Sequence, residues 1–164
     1  MKSHKKSIFL SISTIIFTKI CKSIDYKNFI LLNVHLADFS NVAATSSARY
    51  AGNSAKTSSG GIQLRSKNNS GIVSTTSGGK VISVTITVES GSNTIDVYGS
   101  NTAYTDATDL YATGDNANQG TKVASLSGTT WTFDFTTLDT EYAYIGIRSY
   151  NESIYITKIE IEWE

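Results

Sequence analysis

"KVISVTITVESGSNTIDVYGS", residues 80–100, decides the fold class. Ile82, Val84, Ile86 and Val88 alternate with Ser83, Thr85 and Thr87. A period of two is that of a strand with one buried face, whereas a helix would repeat every 3.6 residues. Gly91, Ser92 and Asn93 then mark a turn. Beyond it Ile95 and Val97 are expected to face inward, with Asp96 and Tyr98 outward.

The same pattern extends in both directions. "IQLRS" (62–66) and "GIVSTT" (71–76) flank a turn at "KNNS", and "KVASL" (122–126) is a short strand. "WTFDF" (131–135) puts Trp131, Phe133 and Phe135 on one face. "YAYIGIRSY" (142–150) sets Ala143, Ile145 and Ile147 on one side and Tyr144, Arg148 and Tyr150 on the other. "SIYITKIEIEWE" (153–164) ends with Ile159, Ile161 and Trp163 inward and Glu160 and Glu162 outward. Short strands at this spacing, without sustained helical periodicity, predict an all-β antiparallel sandwich of about eight strands. "FILLNVHLADF" (29–39) alternates at Ile30, Leu32, Val34 and Leu36 and reads as a first strand or as the tail of a leader. Residues 40–61 are small and polar and are expected to form a long loop or extended arm.

Charge divides the chain. Residues 1–34 hold six lysines and one acid, Asp25, which leaves eight basic and thirteen acidic groups in the remainder. A mildly acidic body without a basic run argues against a nucleic-acid partner. Residues 1–23 begin with Lys2, Lys5 and Lys6 and continue through an apolar stretch from Ile8 to Phe17, the pattern of a secretory leader. That stretch is too short for a stable membrane span. Cleavage after Ser23 is the best available site, and a disordered basic tail is the other reading. The expected division is a leader over 1–23, an uncertain leader tail or first strand over 24–36, and one β-sandwich domain over 37–164.

From residue 36 onward the chain has neither cysteine nor histidine. That removes the usual zinc ligands, a Ser-His-Asp triad and a thiol nucleophile.

"GGIQLRSKNNSGIVSTTSGGKVISVTI", "TIDVYGSNTAYTDATDLY", "QGTKVASL" and "YAYIGIRSYNESIYITKIEIEW" occur in this order. Together they resemble a galactose-binding-like β-sandwich module of secreted gut-bacterial proteins, of the discoidin and carbohydrate-binding-module type. The resemblance covers about residues 37–164. It implies a jelly-roll topology and an accessory, extracellular role, and it leaves the ligand open because such folds bind many things.

Several clusters are candidates for chemistry. Tyr144, Arg148 and Tyr150, with Asn151 and Glu152 at the next turn, offer aromatic faces for sugar C–H groups and donors for hydroxyls. An ordinary exposed face, held by cross-strand pairs, gives the same pattern. Tyr104 and Tyr111 are either stacking platforms on the 101–121 connection or part of a plug. In the second reading Asp106 caps a helical turn over Ala107–Leu110, and Leu110 and Tyr111 close the end of the sandwich. Asp106, Asp109 and Asp115, with Asn116, are oxygen donors for a possible structural calcium, though their spacing fits no EF-hand. Asp134, Asp139, Glu141 and Glu152 could supply a glycosidase pair only in a cleft that so small a domain hardly accommodates. Arg65 and Arg148 either grip an anion together or guard strand edges. Sequons at Asn68 and Asn151 matter only in a eukaryotic secretory pathway.

The expectation is therefore a non-catalytic extracellular module for a glycan or cell-surface protein. The alternative is a structural or adhesin-type interaction domain without a small-molecule ligand.

Overall fold

The computed structural model describes residues 27–30, 38–43, 47–53, 55–56, 62–65, 70–90, 94–115, 117–150 and 152–164. The leader over 1–23 and the alternating residues Leu32, Val34 and Leu36 lie outside these. So do the turn residues 67–69 and 91–93, Asn68, Asn116 and Asn151.

The chain is an antiparallel β-sandwich of two six-stranded sheets. Its strands are β1 (Lys27–Ile30), β2 (Asp38–Ala43), β3 (Arg49–Asn53), β4 (Ala55–Lys56), β5 (Ile62–Leu64), β6 (Gly71–Thr76), β7 (Val81–Ser90), β8 (Thr94–Ser100), β9 (Thr121–Ser127), β10 (Thr130–Asp134), β11 (Tyr144–Ser149) and β12 (Ile154–Trp163). Sheet A runs β10-β7-β12-β5-β4, with β1 beside β5 on the same flank of β12. Sheet B runs β2-β3-β6-β11-β8-β9. The strands quoted first, β7 and β8, belong to opposite sheets, so the chain changes sheets between them and they do not pair as a hairpin. The same crossing occurs between β5 and β6, β6 and β7, β9 and β10, β10 and β11, and β11 and β12.

One core fills the space between the sheets. Leu64, Val84, Ile86, Val88, Trp131, Ile154, Ile156, Ile159, Ile161 and Trp163 come from sheet A; Tyr50, Ile72, Ile95, Val97, Ile145 and Ile147 come from sheet B. Burying each of the large aliphatic side chains is worth about 1.5–3 kcal/mol, which is what holds the sheets together. Phe133 and Phe135 meet edge to face at 5.1 Å, and Phe135 begins a short 3-10 turn, Phe135–Thr137, capped by Asp134.

Two sequence expectations are corrected. Residues 40–61 are not merely loop: they contribute to β2 and make β3 and β4. Small residues make this strand structure, because Ala51 in β3 and Ala48 just before it pack without bulk and the ladder β2-β3-β6 supplies the hydrogen bonds. Tyr50 adds a large inward side chain. In β7, Val81 rather than Ile82 enters the core. Pairing jumps from Ser83↔Glu162 to Val81↔Trp163, and this bulge turns Ile82 out of the alternation.

Candidate functional site

The outer face of sheet B carries the candidate residues. Asp96 and Tyr98 on β8, Val73 on β6 and Ala51 on β3 point away from the main core, yet all four are buried. The connection 101–120 folds back over them as a third layer. Its 3-10 turn, Ala107–Tyr111, is capped by Asp106, whose carboxylate accepts the Thr108 N–H at 2.7 Å. Asp109 accepts the Thr105 N–H at 2.6 Å. The capped turn expected from the sequence is thus present, but it lies on the face of sheet B instead of plugging the end of the sandwich.

A gap in the sheet admits the turn. Gly71 and Gly146 lie on the adjacent strands β6 and β11, and Leu110 rests on both. A Cβ at Gly146 would stand 2.4 Å from a Leu110 methyl, and one at Gly71 2.8 Å from the other. Tyr98, Tyr104 and Leu110 form the small outer core, with Tyr111 and Tyr144 against it.

Tyr104 is therefore interior, and its hydroxyl donates to the Gln119 carbonyl at 3.1 Å. Tyr111 is half-buried and donates to the Ser70 carbonyl at 2.8 Å. Arg148 turns back into the protein. Its guanidinium lies 5.1 Å from the Tyr98 ring centre and 4.9 Å from that of Tyr111. Nη1 donates to the Leu110 carbonyl at 2.6 Å, and Nη2 stands 3.9 Å from Asp96 Oδ2.

Asp96 is 1 % exposed. Its Oδ1 accepts from Ser125 Oγ at 2.6 Å and lies 3.7 Å from Lys122 Nζ, while Oδ2 has no hydrogen-bond partner. Tyr150, beyond the end of β11, is 58 % exposed, and Lys122 Nζ sits 5.6 Å from its ring centre. The loop tyrosines and the β11 face, two separate candidates in the sequence, are thus one layered assembly. Tyr104, Tyr111, Tyr144 and Arg148 build its covered part, and Tyr150 is its open end.

Lys122 and Asp96 were not among the residues singled out from the sequence. Simple alternation puts Lys122 and Ser125 on opposite faces. The pairing skips Val123 between Ala124↔Val97 and Lys122↔Tyr98, and this bulge brings Lys122 to the same face as Ser125. An acid in the middle of "TIDVYG", where β-propensity disfavours it, was the available signal for Asp96.

The other candidates are placed elsewhere. Among the described residues, no three His, Cys, Asp or Glu side chains gather as a metal-binding group. Asp106 and Asp109 serve as caps, and Asp115 is exposed. Of the acids weighed for glycoside hydrolysis, Glu141 pairs with Lys80 at 2.6 Å. Hydrogen bonds from the Thr136 hydroxyl and N–H hold the Asp134 carboxyl below its usual range, the opposite of what a general acid needs. Arg65 is exposed beside β5 of sheet A, whereas Arg148 belongs to sheet B.

Burial raises the pKa of Tyr104, Tyr98 and Tyr111 and so disfavours their ionisation; Arg148 counteracts part of the effect at the latter two. Their folded values lie above the unfolded tyrosine value of about 10, so the stability they contribute is intact below that pH and is lost as the pH rises further. An absorbance titration at 295 nm should show tyrosinate from this group only well above pH 10, together with loss of near-ultraviolet dichroism. A single transition near pH 10 with the fold intact would contradict the layered arrangement.

No protein-family model matches the chain, and no curated protein matches it significantly. No helix among the described residues is long and apolar enough to cross a membrane.

Proposed function

We propose that the protein is a non-catalytic extracellular module that binds carbohydrate at the open end of the outer face of sheet B. The observation that carries this reading is Tyr150, the large hydrophobic side chain left exposed among the described residues. An exposed aromatic ring just beyond a strand end, with a cation 5.6 Å from its centre, suits the C–H face and hydroxyls of a sugar. We assign the sandwich to the jelly-roll type of the galactose-binding-like modules, a reading supported by the repeated sheet-to-sheet crossings. Export rests on the leader pattern of residues 1–23, and amino-terminal sequencing of secreted protein tests it.

The functional test is a glycan array probed with the purified protein and with Tyr150→Ala. Because Tyr150 is exposed, its removal leaves the fold intact, and the expected result is binding that disappears in the variant. Binding unchanged by Tyr150→Ala refutes the site. A blank array accompanied by self-association favours the adhesin-type alternative.

A further inference from the structure

We propose that the ligand at Tyr150 carries an anionic group, a carboxylate or a sulfate ester on a sugar, and that Lys122 selects it. The inference rests on the carbohydrate-binding reading and names its ligand class.

The charge inventory of the patch is the starting point. Two cations, Lys122 and Arg148, face a single carboxylate, Asp96, at 3.7 and 3.9 Å. Among these three groups one positive charge is left in excess. The ion pairs of sheet A and its neighbouring segments differ: Lys80 lies between Glu141 and Glu164, and Lys158 pairs with Glu160 at 2.8 Å. There the acids equal or outnumber the lysine.

The geometry then decides which cation meets the ligand. Arg148 is spent inward, between two tyrosine rings and on the Leu110 carbonyl. Its side chain is 21 % exposed. Lys122 is 46 % exposed, and among the described residues its ion-pair partner Asp96 Oδ1 stays 3.7 Å from the ammonium. That oxygen already accepts from Ser125 Oγ at 2.6 Å. Asp106 and Asp109 of the covering layer are turned to their own turn's N–H groups. The ammonium is thus held 5.6 Å from the centre of an exposed aromatic ring. A sugar stacked on Tyr150 would place a substituent beside it, and an oxyanion there adds ion pairing to the ammonium's hydrogen bond, which a hydroxyl or ester cannot. Such a bond corresponds to about tenfold in Kd.

The test uses matched pairs on an array, followed by calorimetry. Galacturonate and glucuronate oligosaccharides are compared with their methyl esters, and sulfated galactose and chondroitin oligosaccharides with their desulfated forms. The expected result is about tenfold tighter binding of the anionic member. Lys122→Gln should erase that preference, and Lys122→Arg should retain it. The two sets of pairs tell carboxylate from sulfate. Equal binding of neutral and anionic members, still dependent on Tyr150, overturns the inference and leaves the carbohydrate-binding reading standing. An anionic preference that survives Lys122→Gln also overturns it. Failure of every glycan to bind overturns both.

Discussion

Arg148→Ala is expected to lower the folding free energy by about 3–5 kcal/mol, toward the lower end of that range. The guanidinium faces a carboxylate that is 1 % exposed, and truncating it leaves Asp96 buried with an oxygen that already lacks a hydrogen bond. The Leu110 carbonyl loses one of its two donors at the same time, keeping Gln119 Nε2, and two tyrosine rings lose their cation. Lys122 and Ser125 still hold Oδ1, which keeps the loss from the top of the range. Urea denaturation of the single variant and of Asp96→Ala plus Arg148→Ala separates the contributions. The double variant should recover part of the loss, because the unpaired buried charge goes with Asp96. A single variant within about 1 kcal/mol of the parent, the value of an exposed pair, would show that Arg148 is a surface residue after all.

Trp163→Ala should cost about 3–5 kcal/mol, the range for removing a large aromatic from a core. Trp163 ends β12 in sheet A at 1 % exposure, and its indole N–H donates to the Tyr50 hydroxyl of sheet B at 3.2 Å. One side chain therefore fills space between the sheets and links them by a hydrogen bond. The variant loses the packing and removes the indole N–H that the Tyr50 hydroxyl accepts. Trp163→Phe keeps most of the ring volume and should cost distinctly less. Comparable losses for the two variants, read from the denaturation midpoint, would mean that packing of the ring is not the source.

The class of the fold was legible because alternation is a local signal. Ile95, Val97, Ile145, Ile147, Ile159, Ile161 and Trp163 all point inward as their sequence period requires. The period fails where a bulge inserts a residue, and nothing local announces the bulges at Ile82 or Val123. It also fails where small side chains form strands, since Ala51 and Gly52 of β3 carry no amphipathic signal. The site was half legible. Strand parity put Tyr144, Arg148 and Tyr150 on one face, and Asp106 announced its cap. That the capped turn would lie upon that face depends on Leu110 meeting Gly71 and Gly146, residues 39 and 36 positions away along the chain. Such a contact belongs to tertiary structure, so the buried roles of Tyr98, Tyr104 and Asp96 could not be read from neighbouring residues.

The position of β12 constrains the order of events during synthesis. It bonds to β7 on one flank and to β1 and β5 on the other, so it is the middle of sheet A. Its partner Gln63 lies 92 residues earlier, and Tyr50, which meets Trp163, 113 residues earlier. As the chain leaves the ribosome, β1, β5 and β7 emerge with their inner edges unpaired, and they wait for the strand that joins them. Sheet B has its strands β2 to β11 available sooner. A nascent chain halted before Ile154 would therefore present open strand edges and half of an uncovered core, the features that recruit chaperones or lead to aggregation.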